Sequence, residues 1–161
     1  MRGAGQVVTR QNGFTLVEIM VAIAIIGLLA VVAAPYTASW VHEAQVGEAR
    51  TVLSRAYSHA KSVALRNPDE AVGDDVAASV ILSEGKVLVC QGDTACDENS
   101  AVWQGDWPSG VEFSLAFGGN EIQFNNRGQV LNAGDPVNAG LTYTLSKGSV
   151  NYGDADDNQL R

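Results

Sequence analysis

Histidine and cysteine are scarce: two of each in 161 residues. A metal centre built on them would need more donors, and His42 and His59 stand at no ligand spacing. No Ser-His-Asp, Cys-His or phosphate-cradling glycine pattern is present, so nothing points to catalysis or a cofactor. Basic residues number 10 against 18 acidic. Duplex DNA is held mainly by neutralising its phosphates, and this balance disfavours it as a partner. Residues 1–13 hold no acid, and Ile19 to Val41 hold no charge of either sign. No internal repeat is visible.

The uncharged run is the feature to explain. A helix crossing a bilayer needs ~20 mostly apolar residues, and no other run here is long enough. Arg2 and Arg10 precede it, and basic flanks favour the cytoplasmic side. The N-terminus is therefore expected inside, with the remainder carried out. A cleaved secretory signal is the rival reading. It suits a shorter apolar region of ~7–15 residues, and cutting at Val32-Ala33-Ala34 would leave Pro35 directly after the cut.

The stretch Gly13-Phe14-Thr15-Leu16-Val17-Glu18 resembles the class III signal sequence of type IV pilins and pseudopilins. A short basic leader, a glycine, a phenylalanine, a glutamate at the fifth position after the cut and an apolar helix all coincide. Pro35 falls where these proteins often carry a helix-weakening proline. The resemblance implies cleavage after Gly13 by a prepilin peptidase and N-methylation of Phe14. It also implies an assembly role for Glu18 and Pro35.

Glu18 lies about 6 Å along a helix from Phe14, at ~1.5 Å per residue. A lone carboxylate at a helix centre in hydrocarbon costs ~2.5–3.5 kcal/mol, and an amine partner lowers that cost. In the family, the amine is that of a neighbouring subunit's first residue. Alternatively, Glu18 stays at headgroup level and favours the positive end of its own helix.

From Tyr36 to Arg66 the pattern becomes amphipathic. Ala49, Val52/Leu53, Ala56, Ala60 and Val63/Ala64 recur at helical spacing, and Asn67-Pro68 stops the helix. A helix from Phe14 to Arg66 would be roughly 80 Å long. Beyond it the period falls to two. Strands are expected at Val76–Ser83, Lys86–Cys90, Ala101–Trp107, Val111–Phe117, Glu121–Phe124, Leu141–Ser146 and Ser149–Tyr152. Residues 67–75 and 132–140 are the loop candidates. Short glycine-bearing turns imply antiparallel neighbours. The expected fold class is α+β, a type IV pilin-like fold with a long N-terminal helix packed on an antiparallel sheet. The expected organisation is a leader (1–13), a transmembrane and assembly helix (14–35), its amphipathic continuation (36–66) and a β-rich domain (67–161).

Three further segments resemble the GspH/FimT group of minor pilins and pseudopilins. These are Arg55–Arg66, Val89-Cys90…Cys96…Trp103-Gln104-Gly105-Asp106-Trp107, and Ile122–Val130 with Leu141–Leu145. Asp106 departs from the group, in which the glycine and tryptophan are expected to be adjacent. Cys90 and Cys96 would lie on the exported side, where disulfides persist. Bonded to each other, they would close a short loop worth about 2.4 kcal/mol by chain entropy. Asp154-Ala155-Asp156-Asp157-Asn158 offers oxygens suited to calcium but lacks the twelve-residue calcium-loop pattern. Trp103, Trp107 and Phe113 read as core rather than as a binding surface. Lys86, Arg127 and Lys147 are the one candidate cationic patch.

These readings converge on a non-catalytic minor pilin. It would sit once through the inner membrane with its domain in the periplasm, then join a filament. Its partners would be other minor pilins, the major pilin and the prepilin peptidase, and it would prime assembly or link a tip complex. The alternatives are a minor pseudopilin of type II secretion and a tip module binding DNA or a surface.

Overall fold

The computed structural model describes residues 13–83, 85–92, 96–137 and 140–153, with the backbone of 159–160; the side chains of 34–37 fall outside the description. The chain forms two units, Met1–Ala38 and Ser39–Arg161. Helix α1 (Leu16–Arg66) begins in the first and ends in the second.

In the first unit every residue from Gly13 to Ala33 is exposed. Leu28 is 71% exposed and Val31 75%. A helix apolar on all sides has no favoured inward face, and the described residues of this unit supply no partner for one.

In the second unit, Val46, Ala49, Leu53, Ala56, Tyr57, Ala60, Val63 and Ala64 are buried along one face of α1. Four of these eight are alanines, which bring the helix axis close to the sheet. Arg66 is the last helical residue. Asn67 follows with φ 46°, a left-handed conformation that asparagine tolerates, and its N–H reaches the Val63 carbonyl at 3.0 Å. Pro68 cannot resume the helix because it lacks the donor.

The helix packs on a six-stranded antiparallel sheet. Its strands are β1 (Val76–Ser83), β2 (Lys86–Gln91), β3 (Trp103–Asp106), β5 (Glu121–Asn125), β6 (Val130–Asn132) and β7 (Asp135–Pro136), in the order β3-β2-β1-β5-β6-β7. Register places Val80 between Val89 and Ile122, and Phe124 beside Ala78. These residues belong to the core with α1, where Tyr57 meets Phe124 edge-on at 5.0 Å. Burial of Tyr57 raises its hydroxyl pKa.

Successive strand residues point to opposite faces. Lys86, Leu88 and Cys90 therefore face away from the helix, yet Leu88 and Cys90 are buried. The segment 96–101 is held to this face of β2. It is tied to β2 by the Cys90–Cys96 disulfide and, two residues on, by a 2.8 Å Lys86–Glu98 ion pair. The two ties flank Leu88.

A second sheet holds β4 (Glu112–Leu115), β8 (Leu141–Lys147), β9 (Val150–Tyr152) and β10 (Gln159–Leu160), all pairing with β8. Leu115, Leu141, Tyr143 and Leu145 add to the same core. The Arg50 guanidinium lies 4.6 Å over the Tyr152 ring.

The α+β class, with a long apolar N-terminal helix followed by an antiparallel β domain, is as expected. The expectation of one sheet is corrected to two: β4 pairs with β8 and not with β5. Gly118 and Gly119, both at φ 85°, carry the chain from one sheet to the other. The expected loop 132–140 is also corrected, because β6 and β7 form a hairpin there. Ala133 (φ 51°) and Gly134 (φ 87°) make its two-residue turn, and an alanine hides the usual Asn-Gly signal. Elsewhere strand ends shift by a residue or two, as in β3, which begins at Trp103 instead of Ala101.

Candidate functional site

The candidate site is the start of α1. Gly13, Phe14 and Thr15 precede the helix, and Leu16 is its first residue. The Glu18 N–H donates to the Thr15 hydroxyl at 3.2 Å and to the Thr15 carbonyl at 3.1 Å. Ile19 N–H donates to the same carbonyl at 3.2 Å. Thr15 is thus the N-cap, with Glu18 three residues on, the Thr-x-x-Glu arrangement of a capping box. A cap of this kind stabilises a helix by about 1 kcal/mol. The sequence signal for it is Thr15-Leu16-Val17-Glu18, and a cap there is not among the expectations from sequence.

Two consequences follow locally. The Gly13–Phe14 peptide lies outside the helix, where its carbonyl is not committed to a helical hydrogen bond. Phe14 is 81% exposed. Glu18 is exposed in the first helical turn, where a carboxylate meets the positive end of the helix dipole. From there to Ala33 the side chains form an uninterrupted apolar surface. Pro35 lies within the backbone span of α1, and its side chain is outside the described residues.

The remaining candidates sit in the second unit and do not gather. Cys90 and Cys96 are joined, with Cα atoms 5.8 Å apart. Asp97 then nucleates a tight turn: its Oδ1 accepts from the N–H groups of Asn99 (2.9 Å) and Ser100 (2.7 Å) and from the Ser100 hydroxyl (2.8 Å). The Ser100 side-chain bond, followed by the two backbone bonds, holds the Asp97 carboxyl below the usual range.

Lys86 and Arg127 lie at opposite ends of β1, since Ser83 pairs with Lys86 and Val76 with Asn125. That separates them by roughly 23 Å at strand rise. Lys86 is paired with Glu98, whose hydrogen bond raises its pKa, and Arg127 with Asp74 at 2.6 Å. The Lys147 ammonium donates to the Ser109 carbonyl. No joint cationic patch forms from these three.

His59 stacks on Trp103 at 5.4 Å. Trp107 is edge-on to Phe113 at 6.2 Å, and its Nε1–H donates to the Val111 carbonyl at 2.9 Å. The three aromatics are partly buried against the core. Gly105 is confined: a Cβ there would stand 2.7 Å from the Trp103 ring and 3.1 Å from Val52. Asp106 ends β3 opposite Lys86, so Trp107 begins the next loop. Among the described residues, no group of three or more His, Cys, Asp or Glu stands together. The acidic stretch 154–158 lies outside the described residues.

A capped helix whose first part is exposed and apolar, followed by an antiparallel β domain, is an arrangement consistent with the type IV pilin fold. Comparison with known proteins agrees. Residues 8–34 match the family described as the prokaryotic N-terminal methylation motif. A fimbrial protein of Neisseria meningitidis serogroup B is 40% identical over 75 residues, covering 47% of this chain and 44% of that protein. A fimbrial protein of Moraxella nonliquefaciens is 52% identical over 42 residues, covering 26% and 27% respectively. The chain thus spans less than half the length of these curated relatives. No solved structure matches it.

Proposed function

We propose that this chain is a non-catalytic minor pilin of a type IV pilus, in the GspH/FimT group. In this reading the leader is removed after Gly13 and Phe14 is N-methylated. The apolar part of α1 then holds the protein in the inner membrane, with the β domain in the periplasm. From there it enters a filament beside other minor pilins and the major pilin, where it primes assembly or links a tip complex.

The observation that carries this reading is the exposed apolar surface from Ile19 to Ala33 within a matched methylation motif. Such a surface needs lipid or other helices around it. A scaffold role also suits the second unit, in which Trp103, Trp107 and Phe113 pack against the core and Lys86 and Arg127 are ion-paired. Glu18 has two uses that follow one another. In the precursor it favours the positive end of its own helix. After cleavage it is available to a neighbour's Phe14 amine, which would set the axial register between subunits.

Intact mass measurement of protein extracted from a peptidase-competent host tests the processing step. The expected mass is that of residues 14–161 plus one methyl group. A chain beginning at Met1 would overturn the reading. Replacing Gly13 by leucine should leave the precursor uncut in the membrane.

A further inference from the structure

We propose that Trp40 is a membrane-interface anchor, with its indole seated among phospholipid headgroups on the side where the apolar run ends. The indole is 74% exposed, and Val41 beside it is 51% exposed. The other two tryptophans are placed differently: Trp103 is stacked on His59, and Trp107 is hydrogen-bonded into the core. Trp40 thus offers the largest exposed ring among the described residues of its unit.

Position along the chain names the occupant. The uncharged run starts after Glu18 and continues to Val41. Hydrocarbon takes up ~20 residues of helix. With Glu18 at one headgroup level, the opposite level falls at about residue 38, or slightly later if the helix tilts. Trp40 stands there, and the first charged residue beyond it is Glu43. Tryptophan concentrates at this depth because its ring is apolar while its N–H needs a wet partner. An indole so placed fixes how much of the helix is embedded before the subunit leaves the bilayer. The inference rests on the membrane reading given above.

The test uses the full chain reconstituted into phosphatidylcholine vesicles. One set is brominated just below the glycerol and another at the chain ends. Flotation first establishes that the protein is in the vesicles; failure to float would overturn the membrane reading and the anchor with it. In floated samples, tryptophan emission should be quenched more strongly by the shallow bromine than by the deep one. A Trp40→Phe variant should lose that difference while still floating, because Trp103 and Trp107 lie in the folded domain. If the floated wild type shows no bromine quenching, or if Trp40→Phe retains it, Trp40 is not at the interface. Strong quenching by aqueous iodide with none by either lipid would mean that the indole awaits a protein neighbour, and that result would also overturn the proposal.

Discussion

Two stretches of the same helix behave in opposite ways. From Leu16 to Ala33, α1 is apolar on every side and wholly exposed. From Val46 to Ala64 it is apolar on one side, and that side is buried. The second stretch carries Glu48, Arg50, Arg55 and Lys61 among its apolar residues, and the first carries only Glu18, near its start. Charges mark which face can stay wet, so the second stretch has a defined inward face that its own β domain fills. The first has no wet face, and the described residues offer no partner for it. One secondary structure therefore serves two solvents, and composition alone separates them.

The largest expected effect comes from truncating a leucine in each stretch. Leu53 is fully buried, whereas Leu29 is 63% exposed. Leu53→Ala should destabilise the β domain by about 2–5 kcal/mol, read from urea unfolding in mild detergent. Leu29→Ala should leave the same transition in place. Equal losses would break the distinction between the two stretches. Next in size is the disulfide. Replacing Cys90 and Cys96 together by serine should cost about 2.4 kcal/mol, on the chain-entropy account. The loss should also expose Leu88, which lies between the tied residues Lys86 and Cys90 on the same face of β2.

The smallest effect is a local pH response. Asp97 is held below the usual carboxylate range by bonds to Ser100 and Asn99. Its contribution is fully present above the unfolded value of about 3.9 and is lost as pH falls through the lower folded value. The protection of the Asn99 and Ser100 amides, taken relative to the intrinsic exchange rate at each pH, should therefore be present at neutral pH and be lost in strong acid. Asp97→Asn should abolish that pH response, and a persistent response would assign it to another group.

Much of this contrast was legible in the residues. The small-residue face at Ala49, Leu53, Ala56 and Ala60 and the stop at Asn67-Pro68 are strong local signals, and both appear where expected. Val46 and Tyr57 joined the buried face without being singled out, because a lone valine and a phenol read equally well as surface. The split into two sheets was not legible. Period-two patterning reports which face of a strand is buried but not which strand lies beside it. The β6–β7 hairpin escaped because strands of three and two residues are too short to show a period. At the candidate site, Gly13, Phe14 and Glu18 were marked by motif. Thr15 carries no such mark, because its role depends on where the helix begins, which pattern alone sets only to within a few residues.

The central claim is that the exposed stretch of α1 finds its partner in other subunits, with Glu18 setting the contact. The direct measurement is the ratio of this subunit in sheared pili to that in the inner membrane, for wild type, Glu18→Ala and Glu18→Gln. Insertion and cleavage should survive both changes, because Gly13 and Phe14 are untouched. The account predicts that the ratio falls for Glu18→Ala, with Glu18→Gln separating an ion pair from a hydrogen bond. An unchanged ratio in Glu18→Ala, with cleavage intact, would contradict it.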